Sequence, residues 1–180
     1  MVNLARKGFA LTTSTTTLGK NQHATLAGGC FWGVEELLRT YPGVISTCVG
    51  YTGGQLANPS YEHVKTGRTG HAEAIDITFD PAKLSYEDLL HFFFNLHDPT
   101  TLNRQGNDRG SQYRSAIFYH DEAQRLTAEA VKASVDASGK WPKPVVTEMI
   151  TASTFYPAED YHQKYLEKNP GGYTCHYIRD

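Results

Sequence analysis

Strand-like and helix-like apolar patterns alternate along this chain, and their order restricts the fold more than any other feature. His23 to Ala27 reads as a short strand ended by Gly28-Gly29, and Phe31 to Arg39 as a helix with Val34, Leu37 and Leu38 at helical spacing. Pro42-Gly43 breaks the chain before a strand over Val44 to Tyr51, and a Gly-, Asn- and Pro-rich loop follows from Gly53 to Ser60. The unit then repeats. His71 to Asp80 alternates at period two, with Glu73, Ile75, Ile77 and Phe79 on one face. Ser85 opens a helix in a capping-box pattern with Asp88, and Leu89, Leu90, Phe92, Phe93 and Leu96 supply its apolar side. A long polar segment without structure of its own, His97 to Arg114, leads to a strand over Ser115 to Tyr119. A helix (Asp121 to Ser138), a strand (Val145 to Ile150) and a final helix (Ala158 to Lys168) come next, and the tail from Asn169 has no regular pattern.

Two strand–helix–strand units in series suit an α+β fold. The expected core is a ferredoxin-like split βαβ arrangement, a mixed sheet with flanking helices, extended by long loops and an irregular C-terminal tail. A doubly wound parallel sheet is the alternative.

At 180 residues the chain suits one well-buried core. No repeat or linker divides it, so residues 23–180 form one catalytic domain, with 169–180 a mobile tail. Met1 to Gln22 is Thr-rich, and no acidic residue precedes Glu35. This reads as a flexible polar leader on a cytoplasmic protein, with organelle targeting through the acidic-poor segment as the alternative. The net charge of −2 offers no broad basic surface for nucleic acid or anionic lipid. No apolar run approaches the ~18 residues of a membrane helix. The cysteines, Cys30, Cys48 and Cys175, are odd in number and scattered, which points to a reducing compartment and reactive or buried thiols rather than a disulfide framework.

Cys30 stands out chemically. It follows a strand and two glycines and opens a helix, where free N–H groups and the dipole stabilise a thiolate and lower the thiol pKa. Phe31 and Trp32 occupy positions that are normally polar and would form an apolar wall for a substrate. The alternative, a small buried core cysteine, fits the glycines less well. Glu73 heads an apolar strand face, where desolvation would keep it protonated and fit to act as a general acid. It could instead lie beyond the sheet edge, in water or paired with Arg68. Asp108 and Tyr113 fall in the long polar segment, a kind of stretch that tends to carry function. Cys175, in Gly171-Gly172-Tyr173-Thr174-Cys175-His176, suits a resolving thiol that closes a disulfide onto an oxidised partner. Cys48 reads as a buried structural residue, and His91, His120 and His162 as surface or core residues.

His71-Ala72-Glu73 matches half of the zinc deaminase signature, but the paired-Cys half is absent, so no metal site is expected. A Cys–His hydrolase and a non-catalytic module gripping a methionine-like side chain stay open on the residues alone.

Gly28-Gly29-Cys30-Phe31-Trp32-Gly33 resembles the signature of peptide methionine sulfoxide reductase A, specific for the S epimer. The similarity continues through Gly50-Tyr51-Thr52-Gly53-Gly54, Asn58-Pro59-Ser60-Tyr61, Thr69-Gly70-His71-Ala72-Glu73 and His97-Asp98-Pro99-Thr100. It runs on through Gln105-Gly106-Asn107-Asp108, Gln112-Tyr113-Arg114-Ser115 and Ala158 to Gln163. The resemblance implies a cofactor-free, thioredoxin-dependent oxidoreductase that repairs oxidised proteins and peptides as a monomer, without nucleic acid or membrane. It implies Cys30 as nucleophile, with Phe31 and Trp32 holding the sulfoxide methyl. Glu73, Tyr61 and Tyr113 would bind and protonate the oxygen, and Asp108 would complete the polar side. Many members carry two C-terminal cysteines, whereas this tail has Cys175 alone, implying a single Cys30–Cys175 disulfide.

Overall fold

The computed structural model describes residues 20–179 of the chain. The leader therefore lies outside the described residues up to position 19, and Gln22 already belongs to the first strand. The elements are β1 (Gln22–Gly28), α1 (Phe31–Leu38), β2 (Val44–Thr52), α2 (Tyr61–Val64), β3 (Ala72–Phe79) and α3 (Tyr86–Leu96). They continue with β4 (Arg104–Gln105), β5 (Asp108–Arg109), a 3-10 turn (Ser111–Tyr113), β6 (Ser115–Tyr119), α4 (Glu122–Ala137), β7 (Glu148–Thr151), β8 (Tyr156–Pro157) and α5 (Tyr165–Lys168).

The main sheet has the order β7-β6-β1-β3-β2-β8. Its central strands β6-β1-β3-β2 are antiparallel neighbours, so each βαβ unit brackets a strand of the other. This is the split βαβ core, and the antiparallel pairs exclude a doubly wound parallel sheet. β7 adds a parallel edge beside β6, so the whole is mixed.

Alternation along the strands sorts side chains to two unequal faces. Leu26, Val49, Ile75, Ile77 and Ile117 face α1 and α3, where Val34, Leu38, Leu89, Leu90, Phe93 and Phe94 complete the main core. The other face is built from Ala27, Ala72, Ala74, Ala116 and Phe118 and is roofed by Ile150, Ala152 and Phe155. Cys48 lies on β2 opposite Asp76 and is only half-buried, so the expectation of a fully buried residue is corrected.

Local chemistry explains the helix starts. Ser85 Oγ accepts the Asp88 N–H at 3.0 Å, and Asp121 does the same for Gln124 at 2.8 Å. The Asp88 carboxylate bonds the Ser85 hydroxyl rather than its N–H, so the capping box is not completed as expected.

Two segments depart from expectation. The polar stretch from His97 is not structureless: β4 and β5 pair as a hairpin turned at Gly106 (φ 57°), and the 3-10 turn follows. The final helix spans only α5, not Ala158 to Lys168. Lys164 sits in the left-handed region (φ 51°), which ends any helix arriving from before it. The residues ahead of it are held by side chains instead. Gln163 accepts the Val49 N–H and donates to the Val49 and Ala158 carbonyls, all near 2.9–3.0 Å. The buried Glu35 carboxylate accepts the Lys164 N–H at 2.7 Å and the Thr47 hydroxyl at 2.9 Å.

Candidate active site

The turn from β1 into α1 creates the site. Gly29 has φ 105°, and a Cβ there would fall 2.6 Å from Gln105. Cys30 is the N-cap residue of α1 and is 7% exposed. Two free N–H groups of the first helical turn serve the site. The Phe31 N–H donates to Glu73 Oε2 at 3.1 Å, and the Trp32 N–H favours the Cys30 thiolate.

That help is outweighed. Burial, then the charges of Glu73, Asp108 and Cys175, push the Cys30 thiol well above its usual range. The expectation of a lowered pKa is thereby corrected for the unliganded site. The helix start is present, but desolvation and neighbouring carboxylates dominate it.

Glu73 is 2% exposed on β3 and accepts the Phe31 N–H, so it lies inside the sheet rather than beyond its edge in water. Burial first, and then Asp108, raise its carboxyl to about 8, so it holds its proton at neutral pH. A neutral Glu73 also removes the first charge that opposes ionisation of Cys30.

These groups border a cavity of about 120 Å³. Its lining is made of Cys30, Phe31, Trp32, Tyr61, Glu73, Asp108, Tyr113 and Tyr173. Seven of the eight residues singled out from the sequence thus meet in one small space. Burial and the Glu73 charge push the Tyr61 phenol up to about 12, and the same causes raise Tyr113, so both remain hydrogen-bond donors. The eighth, Cys175, lies outside this lining but touches its rim. Its Sγ is 3.6 Å from Asp108 Oδ2 and 3.7 Å from the Gln105 carbonyl.

Sequence reasoning missed four contributors. Tyr173 donates its hydroxyl to Asp108 Oδ1 at 3.1 Å and lines the cavity. Its place two residues before Cys175 was the available signal. Glu159 accepts the Tyr51 hydroxyl and the Tyr61 N–H, both at 2.8 Å, and so places α2. His162 accepts the Trp32 Nε1–H at 2.9 Å, and Tyr165 stacks on the Trp32 ring at 3.8 Å. Glu159 and His162 fall in the segment Ala158 to Gln163 that the resemblance already included, but their roles, like that of Tyr165, were hidden because each reaches the site across more than 90 residues of chain.

Of the histidines, His71 uses both ring nitrogens on the backbone of Gly54 and Leu56. Among the described residues no group of His, Cys, Asp or Glu could hold a metal ion, and no histidine hydrogen-bonds Cys30.

Comparison with known proteins gives one answer. The family model of peptide methionine sulfoxide reductase matches residues 22–180. A curated relative from Mesorhizobium japonicum, peptide methionine sulfoxide reductase MsrA 1, is 59% identical over 158 residues, covering 88% of this chain and 90% of the relative. The crystal structure of Mxr1 from Saccharomyces cerevisiae in reduced form superposes with a TM-score of 0.85 at 39% identity, over 89% of this chain and 93% of that one. Mxr1 in complex with Trx2 gives a TM-score of 0.63 at 27% identity, over 93% and 97%.

Proposed function

The chain belongs to the peptide methionine sulfoxide reductase A family and reduces methionine sulfoxide; from that premise we propose that it acts on the S epimer through Cys30, Glu73 and Cys175, with thioredoxin as reductant. The observation that carries this reading is the sharing of one helix N-terminus by a thiol and a protonated carboxyl inside a single small cavity.

The sulfoxide methyl lies against Phe31 and Trp32, and its oxygen faces Glu73 with the Tyr61 and Tyr113 hydroxyls. Sulfoxide sulfur is a poor electrophile until its oxygen is protonated. Glu73 gives up its proton to that oxygen as the Cys30 sulfur attacks, the S–O bond passes to Cys30, and methionine leaves. The thiol proton restores Glu73, so a thiol and a sulfoxide have become a sulfenic acid and a thioether. Cys175 then condenses with the sulfenic acid, releasing water and leaving a Cys30–Cys175 disulfide. The mobility that we assign to the tail would let Cys175 reach Cys30. The Mxr1–Trx2 complex supports thioredoxin as the agent that reopens the disulfide.

Each epimer of a blocked methionine sulfoxide, incubated with dithiothreitol, tests the specificity: methionine should form from the S epimer only. Cys30→Ser should form none. Cys175→Ser should yield about one methionine per enzyme and fail to cycle with thioredoxin. Full thioredoxin-dependent turnover by that variant would remove the resolving role.

A further inference from the structure

The last residues of the chain cross over the start of α1, and His176 is the one that enters the interior. It is 7% exposed, and Gly33 leaves the space it fills, since a Cβ at Gly33 would fall 2.5 Å from His176 Nδ1. Nε2 lies 2.7 Å from the Gly28 carbonyl oxygen. A carbonyl only accepts, so Nε2 carries the ring hydrogen and Nδ1 is left with a bare lone pair. That lone pair faces the Cys175 Sγ at 3.7 Å, within reach of a sulfur hydrogen bond.

Cys175 needs such a partner. Burial and then the Asp108 charge push its thiol up to about 11, so it does not ionise unaided near neutral pH. Its other polar neighbours are the Gln105 carbonyl, which is not a base, Asp108, whose charge repels a thiolate, and the Tyr173 hydroxyl, a donor that favours the thiolate but cannot take up its proton. Burial keeps His176 neutral and ready to accept a proton. Arg179 nearby also favours the neutral ring, while Asp108 favours the imidazolium. Once formed, an imidazolium would sit between two anions, the thiolate and Asp108.

Resting on the reading above, we propose that His176 Nδ1 is the base that takes the Cys175 proton as that thiol closes on oxidised Cys30. The Cys175 S–H bond breaks and its proton moves to Nδ1. The sulfur electron pair forms the S–S bond, and the Cys30 S–O bond breaks. The departing hydroxide takes up a proton and leaves as water, and the imidazolium releases its own. Thiol and sulfenic acid give disulfide and water; the sulfenic acid is the oxidant.

The test is a single turnover of the full chain with methionine sulfoxide and no reductant. Methionine formed reports the first step, and disulfide against dimedone-trapped sulfenic acid reports the second. His176→Gln keeps an N–H for the Gly28 carbonyl and removes the base. Its methionine burst should stay within a few-fold of the parent, while disulfide formation slows about tenfold or more and sulfenic acid accumulates. Disulfide formation at the parental rate would overturn the proposal, as would equal slowing of both steps, which marks a role through Gly28 alone. Failure of the parent to give any burst would instead sink the sulfoxide reading. A second measurement needs no variant: nitrogen NMR of the reduced protein should find the His176 hydrogen on Nε2, and a hydrogen on Nδ1 would rule the base out.

Discussion

Glu73 holds Cys30 in check. Both are buried, both have raised pKa values, and the charge of Glu73 opposes ionisation of Cys30. In the proposed mechanism reduction needs the protonated carboxyl, so the first step should weaken as pH rises past about 8, where Glu73 loses its proton. Glu73→Gln should lose roughly 100-fold or more at pH 7, with a smaller deficit in acid, where solvent supplies the proton. Unchanged activity across that range would remove the general acid. Stability follows with its own sign. The folded carboxyl titrates near 8 against an ordinary 4.5, so the folded state binds the extra proton and the protein loses stability as pH rises between those values. Glu73→Gln should accordingly raise the melting temperature relative to the parent at pH 9 and change it little at pH 4; an equal difference at both would refute the shift. At this scale the sequence was most legible. Glycines before a cysteine and a carboxylate on an apolar face are local patterns that name their chemistry, whereas the net pKa of Cys30 depends on neighbours the pattern does not contain.

Between the elements, polar side chains do work that regular structure does not. Gln163 satisfies the Val49 backbone as a strand would, Glu35 pins Lys164, and Glu159 ties Tyr51 to Tyr61. Helical composition between Ala158 and Lys168 disguised this, because Glu, Gln and Lys favour helices when solvated and anchor backbone when buried. Gln163→Ala should cost about 1–3 kcal/mol by leaving the Val49 N–H unpaired. Because the segment it holds carries His162 and Tyr165 onto Trp32, KM for sulfoxide should rise as well. Denaturant unfolding and steady-state kinetics check the two effects; a loss of stability with unaltered KM would separate the anchor from the pocket.

Across the whole molecule, the order of strands and helices sufficed for the βαββαβ core, because right-handed crossovers and apolar alternation leave few ways to assemble it. The path of the tail was illegible: it depends on the hole at Gly33 and on a backbone bond from Arg179 to Asn95, both visible only in three dimensions. Removing residues 173–180 should raise KM through loss of Tyr173 and hold turnover at about one methionine per enzyme with thioredoxin. Thioredoxin-driven cycling by the truncated chain would show that Cys175 is dispensable.

The chain has two tryptophans, and they stand at the two places that the proposed cycle would change. Trp32 borders the cavity, bonded to His162 and stacked on Tyr165. Trp141, beyond α4, lies 5.8 Å from the guanidinium of Arg179 at the end of the tail. The proposed cycle would thus have a separate fluorophore for each of its halves. In Trp141→Phe the remaining emission should change when sulfoxide binds; in the parent, an additional change should accompany disulfide closure and reverse on reduction. Stopped-flow traces lacking that second phase would mean that the tail keeps its place while Cys175 reacts.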